Sequence, residues 1–311
     1  MVRCAVSPES VHDQLVEIDG HQLKLRRLDK VLYPETGTTK AEVLDYYARI
    51  APVLLPRLAN RPVTRLRWPD GVLTKPFFEK NLPAHAPDWL RTVVLPTPGS
   101  SRNRETMRFP LIDGMAALIW AANLAALELH VPQWTVGPRG AVHDPDQLVI
   151  DLDPGAPAAL AECAEVALLV RDRLRADGLD AVPVTSGSKG LQLYVPLVGS
   201  QSASVVHGYA RAMAESLERT ARDKVVAKMA KNLRPGKVLL DWSQNNPAKT
   251  TICPYSLRGR AQPWVAAPRS WDELEDCDSL TQLTATQVLD RVDELGDLSK
   301  ALSGPGFRLP S

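Results

Sequence analysis

Behind the capping-box string Thr39-Lys40-Ala41-Glu42, the apolar residues Val43, Tyr47, Ile50 and Leu54 recur at helical spacing, which predicts a helix from near Lys40 with one face on a sheet. Residues 61 to 80 read as strands and turns, with Trp68-Pro69-Asp70-Gly71 as a hairpin signal. From Asp113 to about Leu129 the chain is apolar nearly all round, the pattern of a buried helix. At Gln147 the texture changes to alternating short strands and helices. Leu148 to Asp153 is a strand stopped by Pro154-Gly155, and Ala158 to about Ala176 is a helix ending near Gly178. Residues 181–185 and 191–196 are strands flanking a small loop, and a helix spans about Ser204 to Thr220. Two further strands cover 237–242 and 249–253, and short helices follow Ser270 as a cap. The pattern is mixed α/β. No Pro/Gly/Ser linker is long enough to separate domains, so the expectation is a loose tail over residues 1–23 and one unit over 24–311, built on two sheets.

Composition narrows the class. With 44% hydrophobic and 23% charged residues, the 311-residue chain is an ordinary globular one. No apolar run approaches the ~18 residues of a membrane span, and Met1-Val2-Arg3-Cys4 lacks a secretion signal, which places the protein in the cytoplasm. Cys4, Cys163, Cys253 and Cys277 are too far apart to offer zinc spacing. A net charge of +1 does not announce a nucleic-acid partner, so such a partner must be met by local patches. Arg222, Lys224, Lys228, Lys231, Arg234 and Lys237 form one; Arg57, Arg61, Arg65 and Arg67 form another. Either is equally readable as a solvated face.

The chemistry concentrates in Val149-Ile150-Asp151-Leu152-Asp153-Pro154-Gly155. On a strand, residues two apart share a face about 6.5 to 7 Å from one another, so Asp151 and Asp153 converge while Ile150 and Leu152 bury behind them. Carboxylates that close repel unless cations neutralise them, and hard oxygen ligands suit Mg²⁺ or Mn²⁺. Asp241, ending the apolar strand Val238-Leu239-Leu240, is a third acid; three can hold two metals for phosphoryl transfer. The alternatives are a turn after an edge strand for Asp-Pro-Gly, and a surface residue for Asp241. Ser186-Gly187-Ser188-Lys189-Gly190 can wrap phosphate with N–H groups and hydroxyls while Lys189 neutralises it, or is a plain turn. Arg258 is suited to a bidentate grip on a triphosphate, or to a surface ion pair.

Taken with Leu28-Asp29-Lys30-Val31-Leu32-Tyr33-Pro34, Thr38-Thr39-Lys40, Arg61-Pro62, Phe77-Phe78-Glu79-Lys80, His130-Val131-Pro132-Gln133-Trp134, Asp241-Trp242-Ser243-Gln244-Asn245 and Tyr255-Ser256-Leu257-Arg258-Gly259-Arg260, these motifs resemble, in order and from about residue 24 to 300, the polymerase domain of bacterial DNA ligase D. That domain is one of the archaeo-eukaryotic primase, or primase-polymerase, superfamily. The resemblance implies a primase-like catalytic fold with two sheets flanked by helices. It also implies template-directed extension of a 3′-hydroxyl with a preference for ribonucleotides, and two divalent metals with Mn²⁺ favoured. The work would be at gaps or double-strand-break ends. By position, Asp151, Asp153 and Asp241 hold the metals; Ser186, Lys189 and Arg258 hold the incoming NTP or dNTP; His130 and Gln244 line its pocket. Lys30 and Lys40 match the positions that grip a downstream 5′-phosphate, Phe77 and Phe78 an aromatic pair against the template, and Arg234 an active-site loop residue. Read without the resemblance, Phe77 and Phe78 are core, His130 a satisfied histidine at a helix end, and the two lysines solvated.

Two departures matter. Gln192 stands where the family usually has a histidine, an uncharged amide toward phosphate, and Leu66 precedes Arg67 where two basic residues are usual, weakening template contact there. Ligase and nuclease segments are absent from the sequence, so the expectation is a free-standing member at the bacterial nucleoid, with Ku and a separate ligase as partners and no membrane or zinc. A non-catalytic end- or gap-binding scaffold and a primase that starts chains unaided are the other readings.

Overall fold

The computed structural model describes residues 13–97 and 105–310. Its centre is a six-stranded sheet in the order Val225–Val226, Val238–Asp241, Gln147–Pro154, Leu191–Pro196, Val182–Thr185, Ala267–Pro268. Neighbours run antiparallel except the first pair. The period-two alternation of Gln147–Pro154 decides what faces where. Leu148, Ile150 and Leu152 bury against Cys163, Val166 and Val170 of helix Leu160–Ala176 and Val206 and Met213 of helix Ala203–Thr220. Val149, with Tyr194 and Val184, buries on the opposite face against Ile252 and Ala266. Asp151 and Asp153 therefore share the face that looks toward the rest of the molecule.

A second sheet lies on that side, in the order Thr251–Ile252, Ala126–Val131, Thr64–Arg67, Phe77–Glu79. Helix Lys40–Leu58 starts where its sequence predicts: Thr39 accepts from the Glu42 N–H, and the Glu42 carboxylate accepts from the Thr39 N–H at 2.7 Å. Val43, Tyr47, Ile50 and Leu54 are its buried face. Two sheets flanked by helices is the architecture the motifs imply.

Two expected boundaries are corrected. The segment from Asp113 to Leu129 is not one helix: helix Met115–Asn123 ends, Ala125 takes φ +56°, and Ala126–Val131 is a strand. Both pieces are largely buried, so the apolar pattern could not distinguish a period of 3.6 from one of 2. Residues 13–23, expected as tail, form a hairpin: Asp13–Ile18 pairs with His21–Arg26 around Asp19-Gly20, both at positive φ, and Val16, Leu23 and Leu25 join the core. An Asp-Gly turn between alternating segments is the signal that was there to read. The remainder of the expected tail, residues 1–12, lies outside the described residues. No helix is long and apolar enough to cross a membrane among the described residues.

Candidate metal centre and nucleotide site

Backbone pairing brings the three acids together. Asp151 and Asp241 are direct partners across antiparallel strands, Asp153 is two residues along, and one carboxylate oxygen from each lies within 4.8 Å of the others. Asp151 is buried at 8% exposure, Asp241 is partly buried and Asp153 opens to solvent. Burial, then the charges of Asp153 and Asp241, raise the Asp151 carboxyl well above its ordinary range, although Gln192 and Gln244 donate to it. Asp153 is raised by burial and by Asp241, with Arg234 opposing. Near Asp241 the compensating cation is Lys249, its Nζ 3.8 Å from Oδ2 and also donating to Ser243 Oγ. Three hard oxygens this close, short of cationic charge, fit a divalent cation.

The supports around the acids are local. Gln192, the strand partner of Asp151, donates from Nε2 to Oδ1 at 3.0 Å, and Gln244 donates to Oδ2 at 3.3 Å. The two amides assigned by sequence to the nucleotide pocket are thus turned onto a metal-ligand candidate. Strand Val238–Asp241 stops at Asp241, whose carboxylate caps the following turn by accepting from Ser243 N at 3.0 Å. The ladder is continued by a side chain: Asn245 accepts from Val149 N at 2.9 Å and donates to Val149 O at 2.7 Å, pinning the turn to the strand beneath. In the sequence Asn245 falls in a motif and Lys249 at a strand start, but neither is assigned a role at the acids, though both lie just beyond Asp241.

The Ser186–Gly190 loop packs against Leu152 and Pro154, beside the acids. Three of its N–H groups are spent within the protein: Ser186 N on Gly190 O, Ser188 N on Ser186 Oγ, and Gly187 N on Gln282 Oε1 at 2.7 Å. Gln282 also donates to Gly190 O at 3.1 Å, clamping both ends of the loop. The expected cradle of backbone donors is therefore narrower, and the Ser186 hydroxyl and the Lys189 ammonium carry more of any phosphate contact. Arg258 reaches the loop through Nη1 to Ser186 O at 2.9 Å. Its Nε lies 3.2 Å from Glu128 Oε1, while His130 Nε2 lies 2.8 Å from Glu128 Oε2. His130 sits on a strand, not at a helix end.

The loop with Arg234 backs onto Asp153. Gly155 N donates to Lys237 O, Gly236 N donates to Gly155 O, and a Cβ at Gly155 would fall 2.1 Å from Arg234 O. Close backbone approach is why glycine follows Asp-Pro. Arg222, Lys224, Lys228 and Lys231 of this stretch are exposed and Arg234 and Lys237 are partly so, which makes this basic patch a surface one.

The other run is internal. Arg57, Arg61 and Arg65 are at most 5% exposed, Arg61 pairs with Asp146 at 2.8 Å, and Arg65 and Arg67 share Glu79 at 3.1 and 3.0 Å. Arg67 also donates to Leu124 O, so the side chain expected at the template faces inward. Phe77 and Phe78 are the reverse of core: 59% and 58% exposed, they line an open groove of roughly 1130 Å³ with Lys80, Trp134 and Lys249.

Lys30 and Lys40 gather elsewhere. Lys40 N donates to Lys30 O, Lys30 Nζ lies 2.7 Å from Asp70 Oδ1, and Lys40 Nζ donates to Arg26 O and Asn123 Oδ1 at 2.6 and 2.7 Å. Burial, then the charge of Arg27, lowers the Lys40 ammonium to about 8.

Comparison with known proteins places these features together. The family model described as the primase-polymerase domain of LigD matches residues 39–299. The multifunctional non-homologous end joining protein LigD of Mycolicibacterium smegmatis is 50% identical over 283 residues, covering 89% of this chain and 35% of that protein. The bifunctional non-homologous end joining protein LigD of Bacillus subtilis is 32% identical over 276 residues, covering 88% and 43%. Among solved structures, the polymerase domain from Mycobacterium tuberculosis ligase D in complex with DNA matches with a TM-score of 0.86 at 47% identity, covering 92% of this chain and 99% of that one. The chain spans between 32% and 43% of the length of the curated relatives it matches.

Proposed function

The chain belongs to the LigD primase-polymerase family of metal-dependent nucleotidyltransferases, and from that premise we propose that it extends a 3′-hydroxyl at gaps or double-strand-break ends of DNA, template-directed and with a preference for ribonucleotides. The observation that carries the reading is the convergence of Asp151, Asp153 and Asp241 beside the Ser186–Gly190 loop, on which Arg258 also rests. Bound there, two divalent ions, Mn²⁺ or Mg²⁺, would supply Lewis acidity and neutralise charge at the α-phosphate and pyrophosphate.

The protein's own contribution is placement. Asp151, fixed by Gln192 and Gln244, Asp241, fixed by Ser243, and Asp153 offer the oxygens. Ser186, Lys189 and the guanidinium N–H groups of Arg258 not spent on Glu128 or Ser186 O hold the triphosphate, and His130 borders the nucleotide. Phe77 and Phe78 offer faces on which template bases stack, and the exposed lysines and Arg234 of the basic loop neutralise backbone phosphate. The role in end joining follows the names of the relatives, and Ku is the partner proposed with it from the family resemblance alone.

Incubating gapped DNA with NTPs and Mn²⁺ tests this. The expected result is primer extension; tight DNA binding without product would favour a scaffold, and dinucleotide formation on unprimed template would favour a primase.

Lys30 and Lys40 are the proposed grip on the 5′-phosphate, which yields a pH dependence. Lys40 spends two ammonium hydrogens on Arg26 O and Asn123 Oδ1 and has one left for a ligand. Its pKa is lowered, so it is charged below about 8 and loses its proton as pH rises through that value. The preference for 5′-phosphorylated over 5′-hydroxyl gaps should then fall severalfold between about pH 7 and 9, well before an ordinary lysine titrates near about 10.4. Binding measured by fluorescence anisotropy across that range checks it; a flat ratio throughout would contradict it.

A further inference from the structure

Glu128 is a buried carboxylate that none of the phosphate or metal assignments uses. It sits on the strand Ala126–Val131, two residues before His130 and therefore on the same face, while Leu127 and Leu129 fill the core behind. Both of its oxygens are committed. Oε2 lies 2.8 Å from His130 Nε2; Oε1 lies 3.2 Å from Arg258 Nε and accepts from Gly259 N at 3.0 Å. At 4% exposure, burial alone would push the carboxyl up, but His130, Arg258 and the Gly259 N–H outweigh it and hold it at about 2, so it is an anion at every working pH.

The two groups it holds come from different regions of the molecule. His130 belongs to the second sheet; Arg258 sits on the segment that crosses to the Ser186 loop, where Nη1 donates to Ser186 O at 2.9 Å. One side chain thus fixes the spacing between the residue that borders the nucleotide and the residue that holds its triphosphate. We propose that Glu128 is a positioning residue for the incoming nucleotide, pre-assembling His130 and Arg258 so that neither has to be ordered when the triphosphate arrives. The proposal rests on the polymerase reading, since it needs a nucleoside triphosphate as the ligand of both groups. Pre-organisation of this kind acts on nucleotide affinity rather than on DNA affinity.

Glu128→Gln is nearly isosteric, keeps an acceptor for Gly259 N, and removes the charge. The Kd for a non-hydrolysable NTP analogue in Mn²⁺ should rise by about tenfold or more, because charged hydrogen bonds are lost from both partners. The KM for NTP in gap extension should follow it, with kcat within about threefold and gapped-DNA affinity unchanged. An unchanged NTP Kd in folded Glu128→Gln would overturn the proposal. Should that variant fail to fold, a double-mutant cycle of His130→Ala and Arg258→Ala on the same Kd decides: coupling of about threefold or more supports the proposal, and additive effects overturn it. Wild-type protein that binds the analogue but never incorporates a nucleotide would instead sink the polymerase reading, a separate result.

Discussion

Asp153→Asn is expected to lower nucleotide incorporation on gapped DNA by on the order of a thousandfold or more, with DNA affinity changed less than about twofold. Asp153 is the most exposed of the three acids, and Asn matches it in size and shape, so the fold survives the change. What is lost is one anionic oxygen from a site where three lie within 4.8 Å. DNA affinity persists because it is supplied by lysine and arginine contacts to phosphate, and the surface cations at 222, 224, 228 and 231 are untouched. Single-turnover extension of a labelled primer, alongside a binding titration of the same variant, measures both. Extension at the wild-type rate would show that the acids do something other than hold catalytic metals.

Gly190→Ala should be as damaging to activity and, unlike Asp153→Asn, should act through the fold. A Cβ at Gly190 would lie 1.9 Å from Leu152 O and 3.1 Å from Pro154 Cδ. The clash is with backbone on a neighbouring strand, so no side-chain rotation relieves it: Leu191 pairs with Leu152, and Gly190 O is held by Ser186 N and Gln282 Nε2. The strand bearing both acids and the loop bearing Ser186 and Lys189 must separate. A loss of about 3 kcal/mol or more is expected by denaturant unfolding, with incorporation abolished. Gly208→Ala, whose Cβ meets nothing within 4 Å, is the matched control. Equal stability of the two variants would mean that the loop and strand are not locked together.

Much of this site was legible because its chemistry lies in short strings on regular elements. Asp151 and Asp153 obey strand alternation, Asp241 ends a strand of the same sheet, and the capping box announces helix Lys40–Leu58. Glu128, Gln282 and Asn245 were less visible, since each acts on a residue remote in sequence or mimics backbone, and neither leaves a periodic mark. Reading 124–129 as helix hides Glu128 in particular, because only on a strand do positions 128 and 130 share a face. Charge counting misleads in one place: it puts the arginines at 57, 61, 65 and 67 on a patch, but carboxylates and carbonyls distant in the chain draw them inside. Phe77 and Phe78 show the converse, for hydrophobicity alone puts them in the core whereas the fold leaves them at a groove.

A polymerase of this kind requires the carboxylates of two separate strands to share divalent cations. Titrating Mn²⁺ into the protein with a bound NTP analogue, followed by electron paramagnetic resonance, tests it with the third acid as the probe. Wild-type protein should take up Mn²⁺, and Asp241→Asn should weaken that uptake by at least about tenfold. Uptake unchanged by Asp241→Asn would show that the strand Val238–Asp241 contributes no ligand, contradicting the metal centre on which the polymerase reading stands.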